Sequence, residues 1–256
     1  MKHKVFKIAI SFLILVMSII SSCTTKKSVK QKHELREYGI TLFDTTRKRQ
    51  IPLYFYNTNK WKQKVIIFNH GYGKNNPESY KTYSTICKHL AQKGYFVLSI
   101  QHELPGDEAL AMEGIFYETR MPNWERGVQN IKFVIEECEK IFPTLNWKDI
   151  TVIGHSNGGD MAMLFAAKYP DYIKNAISLD NRRMPLPRVA RPRILSLRGS
   201  DLPADPGVLP SNELQEELKM RIINLKNIRH SDMDDKGTTH QLQTINNYII
   251  DFLNGK

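Results

Sequence analysis

The chain has 256 residues, of which 41% are hydrophobic and 25% charged, and its formal net charge is +11. This composition is ordinary for a globular protein and excludes a disordered chain, a collagen-like repeat or a small scaffold held together by disulfides. The basic residues are scattered and form no aromatic-basic motif, so we predict a mildly basic surface and no nucleic-acid partner. The length suits one large domain whose core needs no metal or disulfide.

Residues 1–22 differ from the rest of the chain. Three lysines precede an apolar run from Ile8 to Ile20, and this run is too short to span a bilayer comfortably. A basic start followed by a short apolar run predicts a secretory signal peptide. The next stretch is polar and rich in lysine, and we predict a flexible tether over residues 23–36 and a folded domain over 37–256.

The segment Ile20-Ser21-Ser22-Cys23 ends the apolar run. It resembles the lipobox of bacterial lipoproteins, in which the cysteine is acylated and becomes the new N-terminus. The resemblance implies a lipid anchor on Cys23 and a location in the bacterial cell envelope, on the periplasmic or surface side of a membrane. Cys87 and Cys138 lie in helix-like patterns, which predicts two buried thiols and no disulfide.

The tether is followed by a hairpin-like pattern over 37–56 and then by alternating strands and helices. We predict strands at 65–68, 95–100, 150–153, 176–179, 194–197 and 222–225, and helices at 77–93, 122–142, 157–169, 212–220 and 239–253. This alternation predicts an α/β protein with one mostly parallel sheet and helices on both faces. The proline-rich segment 180–192 is too short to hold a crossover helix or a lid domain.

The sharpest motif reads Gly-His-Ser-Asn-Gly at positions 154–158, directly after a predicted strand and before a predicted helix. A G-x-S-x-G turn in this context holds its serine in a strained conformation and lifts the hydroxyl clear of the sheet, since the flanking glycines leave room for the turn. Ser156 is therefore the candidate nucleophile.

With this motif the chain resembles the α/β-hydrolase superfamily from the hairpin to the last helix. The segments 90–103 and 179–185 are similar to platelet-activating-factor acetylhydrolases, and Arg198-Gly199-Ser200-Asp201 resembles the cutinase and polyester-hydrolase relatives. The resemblance implies an α/β-hydrolase fold without a lid domain and a serine hydrolase that cleaves carboxylic esters. It implies no cofactor and no metal.

A serine hydroxyl needs a general base to take its proton. His230 lies a few residues beyond the predicted strand 222–225, where this superfamily places its base. His240 is the alternative, because it opens the last helix and resembles the acetylhydrolase position. His155 lies inside the turn itself, and we predict that it packs locally.

The base in turn needs a carboxylate that fixes its tautomer. Asp201 lies four residues past a predicted strand, in the loop where most relatives carry the acid, and is the first choice. Asp180 directly follows the preceding strand and matches the acetylhydrolase-like alternative, while Asp205 is a third candidate. For the oxyanion, the resemblance implies the backbone amides of Asn157 and Tyr72.

These residues predict a lipid-anchored enzyme that acts on a small-molecule ester and favours short acyl groups. A serine peptidase or an acyltransferase using the same residues is an alternative reading. A catalytically idle lipoprotein that uses the fold for binding is another.

Overall fold

The computed structural model describes residues 34–256. The predicted signal peptide, Cys23 and most of the predicted tether lie outside these described residues. Within the described part, no helix is both long enough and apolar enough to cross a membrane.

Within residues 34–256, eight strands form one sheet. They are β1 (Arg36–Asp44), β2 (Arg49–Asn57), β3 (Lys64–Asn69), β4 (Phe96–Ile100), β5 (Asn146–His155), β6 (Asn175–Leu179), β7 (Arg193–Arg198) and β8 (Arg221–Asn224). Their order is β1-β2-β4-β3-β5-β6-β7-β8. The hairpin β1–β2 is antiparallel and joins β4 antiparallel, whereas all neighbours from β4 through β3 to β8 are parallel. The predicted mostly parallel sheet is confirmed.

The described residues form six α-helices. They are α1 (Ser84–Gln92), α2 (Phe116–Thr119), α3 (Met121–Ile141), α4 (Asn157–Lys168), α5 (Asn212–Glu217) and α6 (Thr239–Leu253). Buried side chains of α3 and α4 form one core layer, and buried side chains of α1 and α6 form the other. The sheet thus lies between two core layers, both formed by described residues. Cys87 and Cys138 are buried free thiols.

The predicted helix at 77–93 begins later than expected. Residues 79–81 form a 3-10 turn, and α1 starts only at Ser84. The carboxylate of Asp235 accepts the backbone N–H groups of Ser84 (2.8 Å) and Thr85 (2.9 Å), so a residue far along the chain stabilises this helix start. Gly94 follows the helix with φ at +103°, a conformation that favours glycine.

The parallel strands give the domain two different edges. Their C-terminal ends form what we call the carboxyl edge, and the loops that leave it contain the candidate residues after β3, β5, β6 and β7. Their N-terminal ends form the amino edge. Because Arg36 pairs with Asn57, the described chain enters the fold at the amino edge.

Candidate active site

Ser156 lies on a sharp turn between β5 and α4. Its φ of 52° and ψ of −122° are outside the regions that L-residues normally adopt. Two glycines make the turn possible. A Cβ on Gly154 would lie 2.0 Å from the carbonyl oxygen of Gly158, and a Cβ on Gly158 would lie 2.3 Å from the carbonyl oxygen of Asn69. The turn therefore has the geometry of a nucleophile elbow and leaves Ser156 partly exposed.

A continuous chain of hydrogen bonds runs from Ser156 to a buried carboxylate. The Oγ of Ser156 lies 2.9 Å from Nε2 of His230, and Nδ1 of His230 lies 2.6 Å from Oδ2 of Asp180. The three residues come from the loops after β5, β8 and β6, which meet at the carboxyl edge. Their arrangement is that of a Ser-His-Asp triad, which is recognised by geometry rather than by sequence position.

The expectation that Asp201 orients the histidine ring is wrong. Its Oδ1 accepts the backbone N–H of His230 at 2.9 Å and contacts Nη2 of Arg182 at 3.2 Å, so it holds the loop and not the ring. Asp205, the third candidate, pairs with Arg183 at 2.5 Å. The geometry assigns the acid position to Asp180, which directly follows β6 and adopts a φ of 53°.

Two arginines and a backbone amide surround Asp180, which is fully buried. Its carboxylate contacts Nη2 of Arg182 at 2.8 Å and Nη2 of Arg198 at 3.1 Å, and it accepts the N–H of Gly199 at 2.9 Å. Burial alone would raise the pKa of Asp180. The bond from His230, the charge of Arg198, the Gly199 amide and the charge of Arg182 outweigh burial and hold the pKa well below its usual range. The carboxylate is therefore ionised in the folded protein at neutral pH.

His240, the alternative base, lies exposed in the first turn of α6. Within the described residues it makes no hydrogen bond to Ser156 or to Asp180. The structure thus brings His230, and not His240, to the serine.

His155 connects two parts of the site. Its Nε2 lies 3.0 Å from the carbonyl oxygen of His230, and its Nδ1 lies 2.7 Å from the hydroxyl of Tyr83, which in turn accepts the N–H of Gly71. Burial, followed by the neighbouring His230, lowers the pKa of His155 to about 3, so its ring is neutral. Nε2–H then donates to the His230 carbonyl and Nδ1 accepts from Tyr83, which ties the His230 backbone to the loop after β3.

The candidate oxyanion donors are the backbone amides of Tyr72 and Asn157. Asn157 begins α4 next to the nucleophile, and Tyr72 lies in the loop after β3. Neither amide donates a hydrogen bond to another backbone group within the described residues. Gly71 brings the loop close, since a Cβ there would lie 3.3 Å from Cβ of Ser156. An oxyanion hole requires two N–H donors next to the nucleophile, and these two amides are the candidates for that role.

A buried acid, Glu103, links the two sides of this candidate oxyanion hole. It follows β4 and is 1% exposed. Its Oε2 accepts the N–H of Gly73 at 3.1 Å, next to Tyr72, and its Oε1 lies 3.5 Å from Nδ2 of Asn157. The Asn157 side chain is also fixed by Trp124, whose indole N–H donates to Oδ1 at 2.7 Å. Burial raises the pKa of Glu103 to about 7, although these donors oppose the rise.

Sequence reasoning missed Glu103, Arg182 and Arg198. The sequence held a signal for two of them, namely a charged residue at the carboxyl end of a buried strand. Arg198 ends β7, and Glu103 follows the end of β4. Charged groups in such places are buried only when they are paired. Within the described range, no cluster of three or more histidine, cysteine or acidic side chains could hold a metal ion.

Known proteins resemble this chain in sequence and in fold. A family model described as "Serine aminopeptidase, S33" matches residues 60–179. A protein of Aquifex aeolicus (strain VF5), described as "Putative carboxymethylenebutenolidase", is 30% identical over 123 residues, which are 45% of this chain and 50% of that protein. A "Serine hydrolase-like protein" of Danio rerio is 35% identical over 48 residues, which are 19% of this chain and 15% of that protein. The chain spans half or less of the length of the curated relatives it matches.

Two solved structures are similar over most of this chain. A hyperthermophilic esterase from the archaeon Pyrobaculum calidifontis has a TM-score of 0.63 at 14% identity, with 86% of this chain and 84% of that chain covered. A dienelactone hydrolase from Anabaena variabilis ATCC 29413 has a TM-score of 0.58 at 15% identity, with 85% and 96% covered. With the strand order and the elbow, these similarities show that the chain has the α/β-hydrolase fold.

Proposed function

We propose that this protein is a serine hydrolase that cleaves carboxylic esters with short acyl groups through an acyl-enzyme intermediate. The observation that carries the proposal is the unbroken hydrogen-bond chain from Ser156 through His230 to the buried Asp180. The position of the acid also supports an ester hydrolase, because the resemblance to the acetylhydrolases implies an aspartate at that place.

In the proposed reaction, Nε2 of His230 takes the proton of Ser156 as Oγ attacks the ester carbonyl carbon. The negative charge that develops on the carbonyl oxygen is stabilised by the amides of Tyr72 and Asn157. The intermediate then collapses, the bond to the alcohol oxygen breaks, and His230 returns the proton to the leaving alcohol. A water molecule, deprotonated by His230, releases the acid and restores Ser156.

Asp180 keeps Nδ1 of His230 protonated, so that Nε2 is the free acceptor facing Ser156. Its ionised carboxylate also stabilises the imidazolium that forms when the proton moves. The arginines beside Asp180 keep it charged, so the proton stays on the histidine and does not pass to the acid.

The preference for short acyl groups rests on the loops around Ser156. The connection from β6 to β7, residues 180–192, contains no helix, and the connection from β4 to α3 contains only the four residues of α2. Tyr117 of α2 packs against Trp124 with ring centroids 6.3 Å apart, and Trp124 binds Asn157. Tyr117 remains 47% exposed, so this wall is open to solvent and a long chain buries few methylenes beside it.

We expect kcat/KM to be highest for acetyl or butyryl esters in a series of p-nitrophenyl esters. Each methylene that is buried contributes only about 0.8 kcal/mol, and an open wall buries few of them, so the gain with chain length should level off early. No jump in rate is expected when the substrate forms micelles. A preference for long-chain esters together with such a jump would contradict this proposal.

The match to the serine aminopeptidase model favours a peptidase as the second candidate. A panel of aminoacyl amides, measured beside the ester panel, distinguishes the two functions. A fluorophosphonate probe separates both from an idle binding protein, because an active serine hydrolase is labelled at Ser156 and an idle protein is not.

We further propose that Cys23 is lipidated and that the enzyme is anchored in the cell envelope. Radiolabelled palmitate should then be incorporated into the protein, and Cys23→Ala should abolish incorporation. An inhibitor of the lipoprotein signal peptidase should cause a precursor to accumulate. Equal labelling of the Cys23→Ala variant would refute this prediction, and Cys87→Ala is the matched control because that cysteine is buried.

A further inference from the structure

Trp61 is the most exposed large hydrophobic side chain among the described residues. It lies in the loop between β2 and β3 and is 74% exposed. The other two tryptophans are buried, and their indole N–H groups donate to Asn157 and to the carbonyl oxygen of Phe142. The exposure of Trp61 therefore has no explanation in the packing of the fold.

Exposed lysines share the edge of this tryptophan. Lys60 and Lys62 flank it in the sequence, Lys93 lies in the connection from α1 to β4, and Lys148 lies near the start of β5. Within the part of the chain that the structure describes, none of these four lysines forms an ion pair with an acidic side chain. Trp61 thus lies in a basic surface, which we call the Trp61 surface and define by these five residues.

The Trp61 surface lies on the amino edge, opposite the candidate active site. The loop that contains it leads into β3, and the loop of Tyr72 leaves the other end of that strand. Six residues of strand separate the two edges by about 20 Å. The described chain also enters at the amino edge, since Arg36 pairs with Asn57.

The entry point keeps the Trp61 surface within reach of the proposed anchor. Only ten residues separate Cys23 from Glu34 in the sequence, a distance of about 40 Å at most for a fully extended chain. Four of these ten residues are lysines, and none is acidic. The tether also raises the effective concentration of the surface at the membrane.

We infer that the Trp61 surface docks on an anionic lipid bilayer. Tryptophan prefers the interface between lipid and water, and exposed lysines are attracted to anionic headgroups. A contact of this kind adds to the proposed lipid anchor and stabilises the membrane-bound orientation of the domain. In this orientation Ser156 faces away from the bilayer, toward substrates in solution. The inference goes beyond the proposed hydrolase activity and does not depend on it, although its argument from the tether rests on the proposed anchor at Cys23.

The domain of residues 34–256, which contains both core layers, tests this inference without the lipid or the tether lysines. It is mixed with vesicles of phosphatidylglycerol and phosphatidylcholine, or of phosphatidylcholine alone, at low salt. We expect a blue shift of tryptophan fluorescence and quenching by brominated lipids with the anionic vesicles only. Trp61→Phe should lose both signals, because the two remaining tryptophans are buried.

Charge reversal tests the lysines. Lys60→Glu combined with Lys62→Glu should lower the vesicle partition coefficient at least tenfold. Leu202→Ala is the matched control, since Leu202 is 58% exposed on the opposite edge. Hydrolysis of a soluble ester should be unchanged in all these variants, which separates this inference from the proposed function.

Three results would overturn the inference. They are no binding of the domain to anionic vesicles, binding without a change in Trp61 fluorescence, and binding of the charge-reversed variant equal to that of the parent. In the last two cases, loss of binding on replacing Met112, Ile115 and Leu202 together would assign the contact to the carboxyl edge.

Discussion

Replacing Asp180 by asparagine should lower kcat about 10⁴-fold, whereas Asp201→Asn should lower it less than about tenfold. The two residues lie close together, but Asp180 binds Nδ1 of His230 and Asp201 binds only its backbone N–H. An asparagine at 180 can donate to Nδ1 and so favours the tautomer in which Nε2 carries the proton, which cannot accept one from Ser156. Steady-state kinetics on a short-chain ester measures both effects.

Stability must be measured beside these rates, because Asp180 also neutralises the buried Arg198. A thermal melt of each variant separates unfolding from loss of catalysis. Ser156→Ala and His230→Ala should each lower kcat about as much as the two substitutions combined, since triad residues act as a unit. If Asp201→Asn caused the larger loss in kcat with an unchanged melting temperature, the assignment of the acid would be wrong.

The sequence pattern predicted the sheet and the elbow, and the resemblance to the superfamily favoured His230 over His240 as the base. Alternating apolar runs and helical patterns are local signals, and so is the G-x-S-x-G turn. The start of α1 was not predictable in this way. It depends on the carboxylate of Asp235, which lies about 150 residues further along the chain, and no local pattern reports such a contact.

The choice between Asp180 and Asp201 shows a second limit of sequence reasoning. Both follow neighbouring parallel strands, β6 and β7, whose C-terminal ends meet at one edge, so their spacing does not decide which one reaches His230. What decides it is the backbone of Asp180, with a φ of 53°, and the arginine pair that stabilises its charge in the interior. The backbone conformation has no signature in the sequence, and the position of Arg198 at a strand end does not show which aspartate it pairs with.

Glu103→Ala should lower kcat about 10- to 100-fold with little change in KM. The carboxylate binds the Gly73 amide and reaches the Asn157 side chain, so its removal frees both sides of the candidate oxyanion hole. The decrease in kcat should be smaller than for Asp180→Asn. Removing one oxyanion donor outright lowers kcat about 10²- to 10³-fold, whereas Glu103 only positions the two candidate donors. Glu103→Gln should recover part of the rate, since its carbonyl oxygen can still accept from Gly73.

The same two variants should differ from the parent in how stability depends on pH. The pKa of Glu103 is about 7 in the folded protein, against 4.5 for an exposed glutamate. Between these values the folded state holds a proton that the unfolded state has released, so stability falls as pH rises through this window, by about 3 kcal/mol in total. Arg126 opposes the rise in the pKa of Glu103. Burial also raises the pKa of Asp160 to about 6, so Asp160 adds its own contribution to the pH dependence of stability.

Glu103→Gln carries no titrating proton, so its melting temperature should fall less than that of the parent between pH 4.5 and 7.5. The pH dependence of the melting temperature separates a buried titrating acid from a residue that only fills space. Replacing a residue that only fills space would leave this pH dependence unchanged. Asp149→Asn is the control for the loss of a carboxylate far from the site, since Asp149 lies on the amino edge with Lys64 at 2.9 Å. Equal slopes in the parent and in Glu103→Gln would show that the carboxyl is not titrating in this window, and the positioning role would then have to rest on the kcat loss alone.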